Sequence, residues 1–169
     1  GHAGAFAFLW ESLCGTEPTD EVRFTRTLAQ EIERIAIHTG DLAAVCTDIA
    51  YQLGSAVLGR LRTPMVNFMQ EWCGNRLGKN LTRPFITNYH FTPELADRLS
   101  HVLDLYEPDF KEIITLFSGL SSTLSRLERT GAVSYEDAMA TGAVGMAARA
   151  SGLNRDIRLS HPYGVYPRL

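Results

Sequence analysis

Apolar residues recur at steps of three and four along most of the chain, a spacing that predicts helices nearly from end to end. Phe6, Leu9, Trp10 and Leu13 mark a short first helix over 5–13, closed by Gly15 and the turn-forming GTEPTD. The longest pattern runs from Asp20 to Leu53. At 100° per residue, Phe24, Leu28, Ile32, Ile35, Leu42, Cys46, Ile49 and Leu53 fall in an arc roughly 60° to 160° from Arg34, one core-facing stripe. Gly54 and Gly59 predict a break or a close helix contact. Beyond them Val57, Leu61, Met65, Phe68, Met69 and Trp72 carry a helical face to Gly74, with Pro64 kinking that helix or marking its true start. Residues 75–91 mix glycine, prolines and β-formers and predict an extended connection with room for one short strand pair. Thr92-Pro93 then offers an N-cap with proline in the first turn. From Leu95 to Leu127 the apolar phase, Leu120 included as a core position, continues unbroken past Pro108, predicting one long kinked helix or two nearly coaxial ones that end at Gly131. Ser134-x-x-Asp137 has the form of a capping box, opening a short helix to about Ala140.

These elements predict an all-α fold, an antiparallel helical bundle with two long helices and an irregular connection around 75–91. At 169 residues and 45% hydrophobic content the chain is long enough for one compact domain. Residues 1–133 would form the bundle, and 134–169 a short helix followed by an Arg-rich docking segment. That last stretch is too dense in Gly, Ser and Arg to bury much apolar surface, so the helices before it must position it. Gly1-His2 runs straight into the apolar AGAFAFLW, a helix interior in character, and we read the chain as the middle of a longer subunit.

A net charge of −3 supplies no field to gather nucleic acid or an anionic membrane. Cys14, Cys46 and Cys73 lie far apart, without C-x-x-C or a histidine to complete a zinc set, and are expected as reduced, buried thiols. Trp10 and Trp72 are expected in the core. His2, His90 and His101 lack helical pairing with acids and are read as structural.

Two polar clusters carry candidate chemistry. On the long helix Arg34, His38, Asp41 and Asp48 fall on one strip outside the core stripe. A solvated helix face is the commoner meaning of such a pattern. Here, however, the neighbours of the strip's second half are Ala43, Ala44, Val45, Ile49 and Ala50, which point to a covering element. A covered aspartate would need a positive or hydrogen-bonding partner or would take up a proton, and His38 is the natural ion-pair partner or relay on the same strip. The second cluster, Arg149, Arg155, Asp156, Arg158 and His161, reads either as an exposed tail or as guanidiniums set beside short residues to grip a carboxylate or another anionic group.

The run EIERIAIHTGDLAAVCTDIAYQLG, taken with RTGAVSYEDAMATGAVGMAARASGLNRDIRLSHPYGVY, resembles the superfamily that unites the D-type subunit of respiratory complex I (NADH:quinone oxidoreductase) with the large subunit of NiFe hydrogenases. The E-x-x-R-I-x-x-H-x-G-D-L run is shared in particular with membrane-bound hydrogenases of the formate-hydrogenlyase type. The most specific match is Ala148, Arg149, Ala150, Ser151, Gly152, Asp156, Ile157, Arg158, Pro162 and Tyr163. The resemblance implies the helical middle of a larger oxidoreductase subunit, inactive alone. In the superfamily the flanking parts of true hydrogenases carry two C-x-x-C pairs that bind nickel, and neither pair occurs here. The resemblance therefore implies no cofactor held by these residues, but a NiFe centre or a quinone in the intact assembly and an iron-sulfur cluster in a nearby partner. The partners it implies are the other subunits, above all the small iron-sulfur subunit, toward which the Arg-rich segment would dock. The location it implies is the cytoplasmic side of a membrane, touched through those partners alone.

In complex I relatives an aspartate ten residues after the helical histidine helps hold a quinone-facing histidine from the N-terminal part, and counting from His38 reaches Asp48. By resemblance Asp48 and His38 are thus the candidate proton-handling residues, with Arg34, Asp41, Arg149, Asp156 and Arg158 in docking or structural roles. The chain also departs from those relatives. Gly74-Asn75-Arg76-Leu77-Gly78 stands where they carry G-x-R-x-H, and Arg83-Pro84-Phe85-Ile86-Thr87 where they carry R-P-G-G-V, so a different loop conformation is expected there.

Overall fold

The computed structural model describes residues 1–169 and is helical throughout, with no strand. Its elements are α1 (His2–Cys14), α2 (Asp20–Asp48), α3 (Gln52–Cys73), α4 (Pro93–Gly119), α5 (Ser121–Leu127), α6 (Tyr135–Ala140), α7 (Gly145–Ala150), α8 (Ile157–Ser160) and a terminal 3-10 turn (Tyr166–Arg168).

The core shows how the long helices run. At one end Ala29 and Ile32 of α2 meet Phe68, Met69 and Trp72 of α3 and Leu99 of α4. In the middle Ala36 meets Met65 and Val102. At the other end Cys46 meets Leu58, Leu61 and Ile113. As α2 numbering rises, α3 numbering falls and α4 numbering rises, so the three helices pack up, down and up as an antiparallel bundle.

Local chemistry explains the starts. The Thr19 hydroxyl accepts the Val22 N–H at 3.4 Å with Asp20 and Glu21 in the first turn of α2, and the Thr92 hydroxyl accepts the Leu95 N–H at 3.4 Å ahead of Pro93. Ser134 accepts the Asp137 N–H at 3.0 Å, the expected cap of α6.

Several expectations are corrected. The α2–α3 break falls at 49–51, where Ala50 takes φ 60°, and not at Gly54 or Gly59. At Gly54 the other expected alternative, a close helix contact, holds: a Cβ there would come within 2.8 Å of Cys46 Sγ and 2.4 Å of the Tyr51 ring. Pro64 lies inside a continuous α3, leaving the Arg60 carbonyl without its helical N–H partner. The α4 helix passes through Pro108 as expected but ends at Gly119. Leu120, extended and 37% exposed, separates it from α5 and is no core residue. The 75–91 connection forms no strand pair. Asn75 Oδ1 turns it by accepting the N–H groups of Leu77 at 2.9 Å and Lys79 at 3.3 Å, and Leu81 plugs it into the core. Trp10 is exposed on α1 together with Phe6, Leu9 and Leu13, while Trp72 is buried. Cys14 is exposed, whereas Cys46 and Cys73 are buried.

The first half of α2 is buried on more than its apolar stripe. Arg26, Thr27 and Gln30 are buried as well, where α1 and the 163–166 segment close over them. Arg26 donates to both Glu11 oxygens, at 2.9 and 2.5 Å, and to the Arg83 carbonyl at 2.6 Å. Glu11 also accepts the Phe85 N–H at 2.7 Å. One buried ion pair thus ties α1, α2 and the connection together.

Candidate functional site

The two polar clusters of the sequence meet in one groove. Arg34 and His38 of α2 form one wall, and Arg149, Asp156 and Arg158 of the C-terminal segment the other, around about 950 Å³ of open space. Asp156 organises the second wall. Its carboxylate caps α8 by accepting the Arg158 N–H at 3.0 Å, accepts from the Arg158 guanidinium at 3.0 and 2.7 Å, and accepts from Arg149 at 3.2 Å. The Arg158 guanidinium, then its backbone N–H, hold the Asp156 carboxyl well below the usual carboxylate range.

Glu31 joins the walls. It pairs with Arg34 at 3.2 Å on its own helix, lies 3.6 Å from Arg158, and accepts the Tyr166 hydroxyl. Burial, and then the adjacent Glu31 carboxylate, push the Tyr166 phenol far above its ordinary value, so it acts as a fixed donor. One turn earlier, Tyr163 donates to Gln30 Oε1 at 3.1 Å and the Val165 N–H to Thr27 Oγ1 at 3.2 Å. Gly164 between them has φ 59°, and a Cβ there would sit 2.3 Å from Thr27 Oγ1, so glycine is what lets this strap lie on α2.

Sequence reasoning missed Glu31, Tyr166 and the Glu11–Arg26 pair. The signal for Glu31 was present as the i, i+3 acid before Arg34. Glu11 follows Gly4 and Ala7 on one face of α1, and this small-residue face is the one α1 buries. A Cβ at Gly4 would lie 2.4 Å from Gln30 Nε2, so the end of the glutamine side chain packs directly on α1 there.

Asp41 and Asp48 do not join the groove. Both are exposed in this chain, so the expected cover over the strip's second half is absent here, and the segment that does cover α2 lies over its first half. Ten residues of α-helix separate His38 from Asp48 by about 15 Å. A direct hydrogen bond between them is therefore ruled out, and the expectation of an adjoining acid–imidazole pair is corrected. Asp48 is the last residue of α2, where the helix dipole disfavours a negative charge by about 0.3–1 kcal/mol.

The thiols do not gather. Cys14 ends α1 at the surface, Cys46 sits between α2 and α3, and Cys73 ends α3 with its sulfur donating to the Met69 carbonyl at 3.1 Å. Burial pushes the Cys46 thiol up, away from the thiolate form a metal needs. These residues do not fit a nickel centre.

Comparison with known proteins gives the helical bundle and its docked C-terminal segment a family. Residues 48–169 match the family model of the respiratory-chain NADH dehydrogenase 49 kDa subunit, and the chain belongs to that family. It is 32% identical over 165 residues to the second D-type subunit of the NADH-quinone oxidoreductase of Sorangium cellulosum, covering 98% of this chain and 42% of that protein. It is 30% identical over 156 residues to the D-type subunit of Flavobacterium johnsoniae (92% and 38%) and 28% identical over 159 residues to the C/D-type subunit of Phocaeicola vulgatus (94% and 31%). The chain thus spans less than half the length of these relatives. No helix is long and apolar enough to cross a membrane.

Proposed function

We propose that this chain is the helical middle of a catalytic subunit that reduces quinone in an NADH-quinone oxidoreductase-type assembly, with α2 and its C-terminal strap forming one wall of the reaction cavity. The match of residues 48–169 to the family carries this reading. The relatives it matches, D-type subunits of NADH-quinone oxidoreductases, favour quinone over nickel as the group served. In this reading the Arg149–Asp156–Arg158 and Glu31–Arg34 pairs fix the wall, and the segment docks beside a small subunit that bears an iron-sulfur cluster and links the assembly to the cytoplasmic face of a membrane. Asp48 supplies a carboxylate to a partner group from outside these residues. His38, half-buried at the groove, is a separate proton carrier about 15 Å away. The placement of Asp48 at a helix end that disfavours it supports a role other than stability.

The test replaces Asp48 by Asn, and separately His38 by Gln, in the assembled complex. We expect normal assembly and at least roughly a hundredfold loss of quinone-linked turnover for Asp48→Asn, the scale of a lost proton-transfer group. Unchanged turnover in a correctly assembled complex would favour the second reading, a helical module that holds partner subunits and takes no part in chemistry. That reading draws on the complete internal pairing of Asp156 and Glu31. Hydrogen-dependent dye reduction by the complex would point back to a nickel centre.

A further inference from the structure

The chain has four methionines, and they divide into two kinds. Met65 and Met69 are buried in the bundle at 0% and 7% exposure. Met139 and Met146 lie on the C-terminal segment at 44% and 58% exposure, and the sulfur of each accepts from an arginine: Arg155 Nη2 reaches Met139 Sδ at 3.4 Å, and Arg149 Nη2 reaches Met146 Sδ at 3.0 Å. Met146 also lines the groove. Its arginine is divided, since Nη1 of the same Arg149 guanidinium makes the 3.2 Å bond to Asp156. That single bond is all that ties Arg149 to the carboxylate, whereas Arg158 holds it through both its guanidinium and its backbone N–H. The apolar core under α6 and α7 is small, made of Ala138, Ala148 and Leu153, so polar contacts carry much of the order of this segment. A thioether is a weak acceptor and a sulfoxide a strongly polar group. Once the sulfur is oxidised it becomes the positive end of an S–O bond. Nη2 must then follow the new oxygen or lose its partner, and the rigid guanidinium carries Nη1 away from Asp156 as it moves.

We propose that Met146 is an oxidation site through which a hydroperoxide loosens the C-terminal wall of the groove: conversion of its thioether to the sulfoxide draws Arg149 from Asp156 and frees α7 from α8. One oxygen atom is transferred. The O–O bond of the hydroperoxide breaks as the S–O bond forms, the sulfur gives up two electrons, and the peroxide leaves as an alcohol, or as water from hydrogen peroxide, with its own proton moved to the leaving oxygen. The change is reversed by methionine sulfoxide reductases. The site stands on the geometry of the wall and is independent of the group the groove receives.

The test exposes the full chain to hydrogen peroxide and follows each methionine by peptide mass spectrometry. Met146 should oxidise at least about tenfold faster than Met65 and Met69, the buried references. Hydrogen exchange is then read in a Met139→Leu background, where Met146 is the one exposed thioether. Oxidation should speed exchange over 149–160 by about tenfold or more and leave α2 and α3 near their untreated rates, and the reductases should restore slow exchange. Adding Met146→Leu should abolish the response to peroxide. In Arg149→Gln the contact is already broken, so oxidation should add little further. The proposal is overturned if Met146 oxidises no faster than Met65 and Met69, if its sulfoxide forms without a change in exchange over 149–160, or if the Met146→Leu variant responds equally. It is overturned as well if oxidation adds as much in Arg149→Gln as in the parent, because the effect would then not pass through Arg149.

Discussion

Arg26 grips both carboxylate oxygens of Glu11 from the next helix, with Glu11 3% and Arg26 5% exposed. A buried pair of this kind is weak evidence for net stability, since desolvation offsets much of the attraction, but breaking it leaves one charge uncompensated. Glu11→Gln should therefore cost about 3–5 kcal/mol in unfolding free energy. The double change Glu11→Leu with Arg26→Met should cost less than Glu11→Gln alone, the residual loss coming from the Phe85 N–H and Arg83 carbonyl left without partners. Denaturant unfolding of the three variants decides this, and a double variant less stable than the single would refute it.

The same pair sets an acid limit. The hydrogen bonds from Arg26 come first among the causes that hold Glu11 below its ordinary value near 4.5. A carboxyl depressed on folding contributes stability that is fully present above the unfolded value and is lost as pH falls through the folded one. Wild-type stability should thus decline below about pH 4.5, and the Glu11→Gln variant should show a shallower decline over the same window. Parallel curves would show that other carboxylates dominate.

Much of the bundle was legible because its long helices bury continuous stripes: Ile32, Cys46, Leu99, Val102 and Ile113 are core residues where their periodicity places them. What escaped was decided by tertiary contact. Periodicity cannot show that Ala50 turns left-handed, nor which of the two outcomes expected at Gly54, a break or a close contact, the fold takes. It also assigned Trp10 to a core, because an apolar face looks the same whether this chain or another surface covers it. The groove was half legible. Both its walls were named from their residues, but Glu31, which joins them, resembles any charge on a solvated face until Arg158 and Tyr166 arrive from more than a hundred positions away.

The strap over α2 should be sensitive at Gly164. Its φ of 59° costs an L side chain about 1–2 kcal/mol, and a Cβ would also meet Thr27 Oγ1 at 2.3 Å. Gly164→Ala should lower the unfolding midpoint, and its cost in a Thr27→Ala background should be smaller than in the wild type, because the obstructing hydroxyl is gone. Additive costs in that cycle would mean the conformational penalty acts alone.

Asp156 tests whether the C-terminal wall is an ordered part of the site. With Arg149, Arg158 and the first turn of α8 all anchored on one carboxylate, Asp156→Asn should speed hydrogen exchange over 156–160 and tryptic cleavage after Arg155 and Arg158, while exchange in α2 and α3 stays near wild type. Uniform acceleration along the chain would show instead that the segment supports the whole fold.

Two positions of one apolar repeat should separate clearly. Ile113 and Leu120 both belong to the periodic run through α4, yet Ile113 is 3% exposed against Cys46, Leu58 and Leu61, whereas Leu120 is 37% exposed where the helix breaks. Truncating a buried aliphatic removes both its transfer free energy and its packing, so Ile113→Ala should cost about 2–5 kcal/mol. Leu120→Ala gives up partial burial beside solvent that can fill the space, and should cost about 1 kcal/mol or less. Equal losses in denaturant midpoint would mean that α4 and α5 pack as one continuous helix and that the break at Leu120 does not exist in solution.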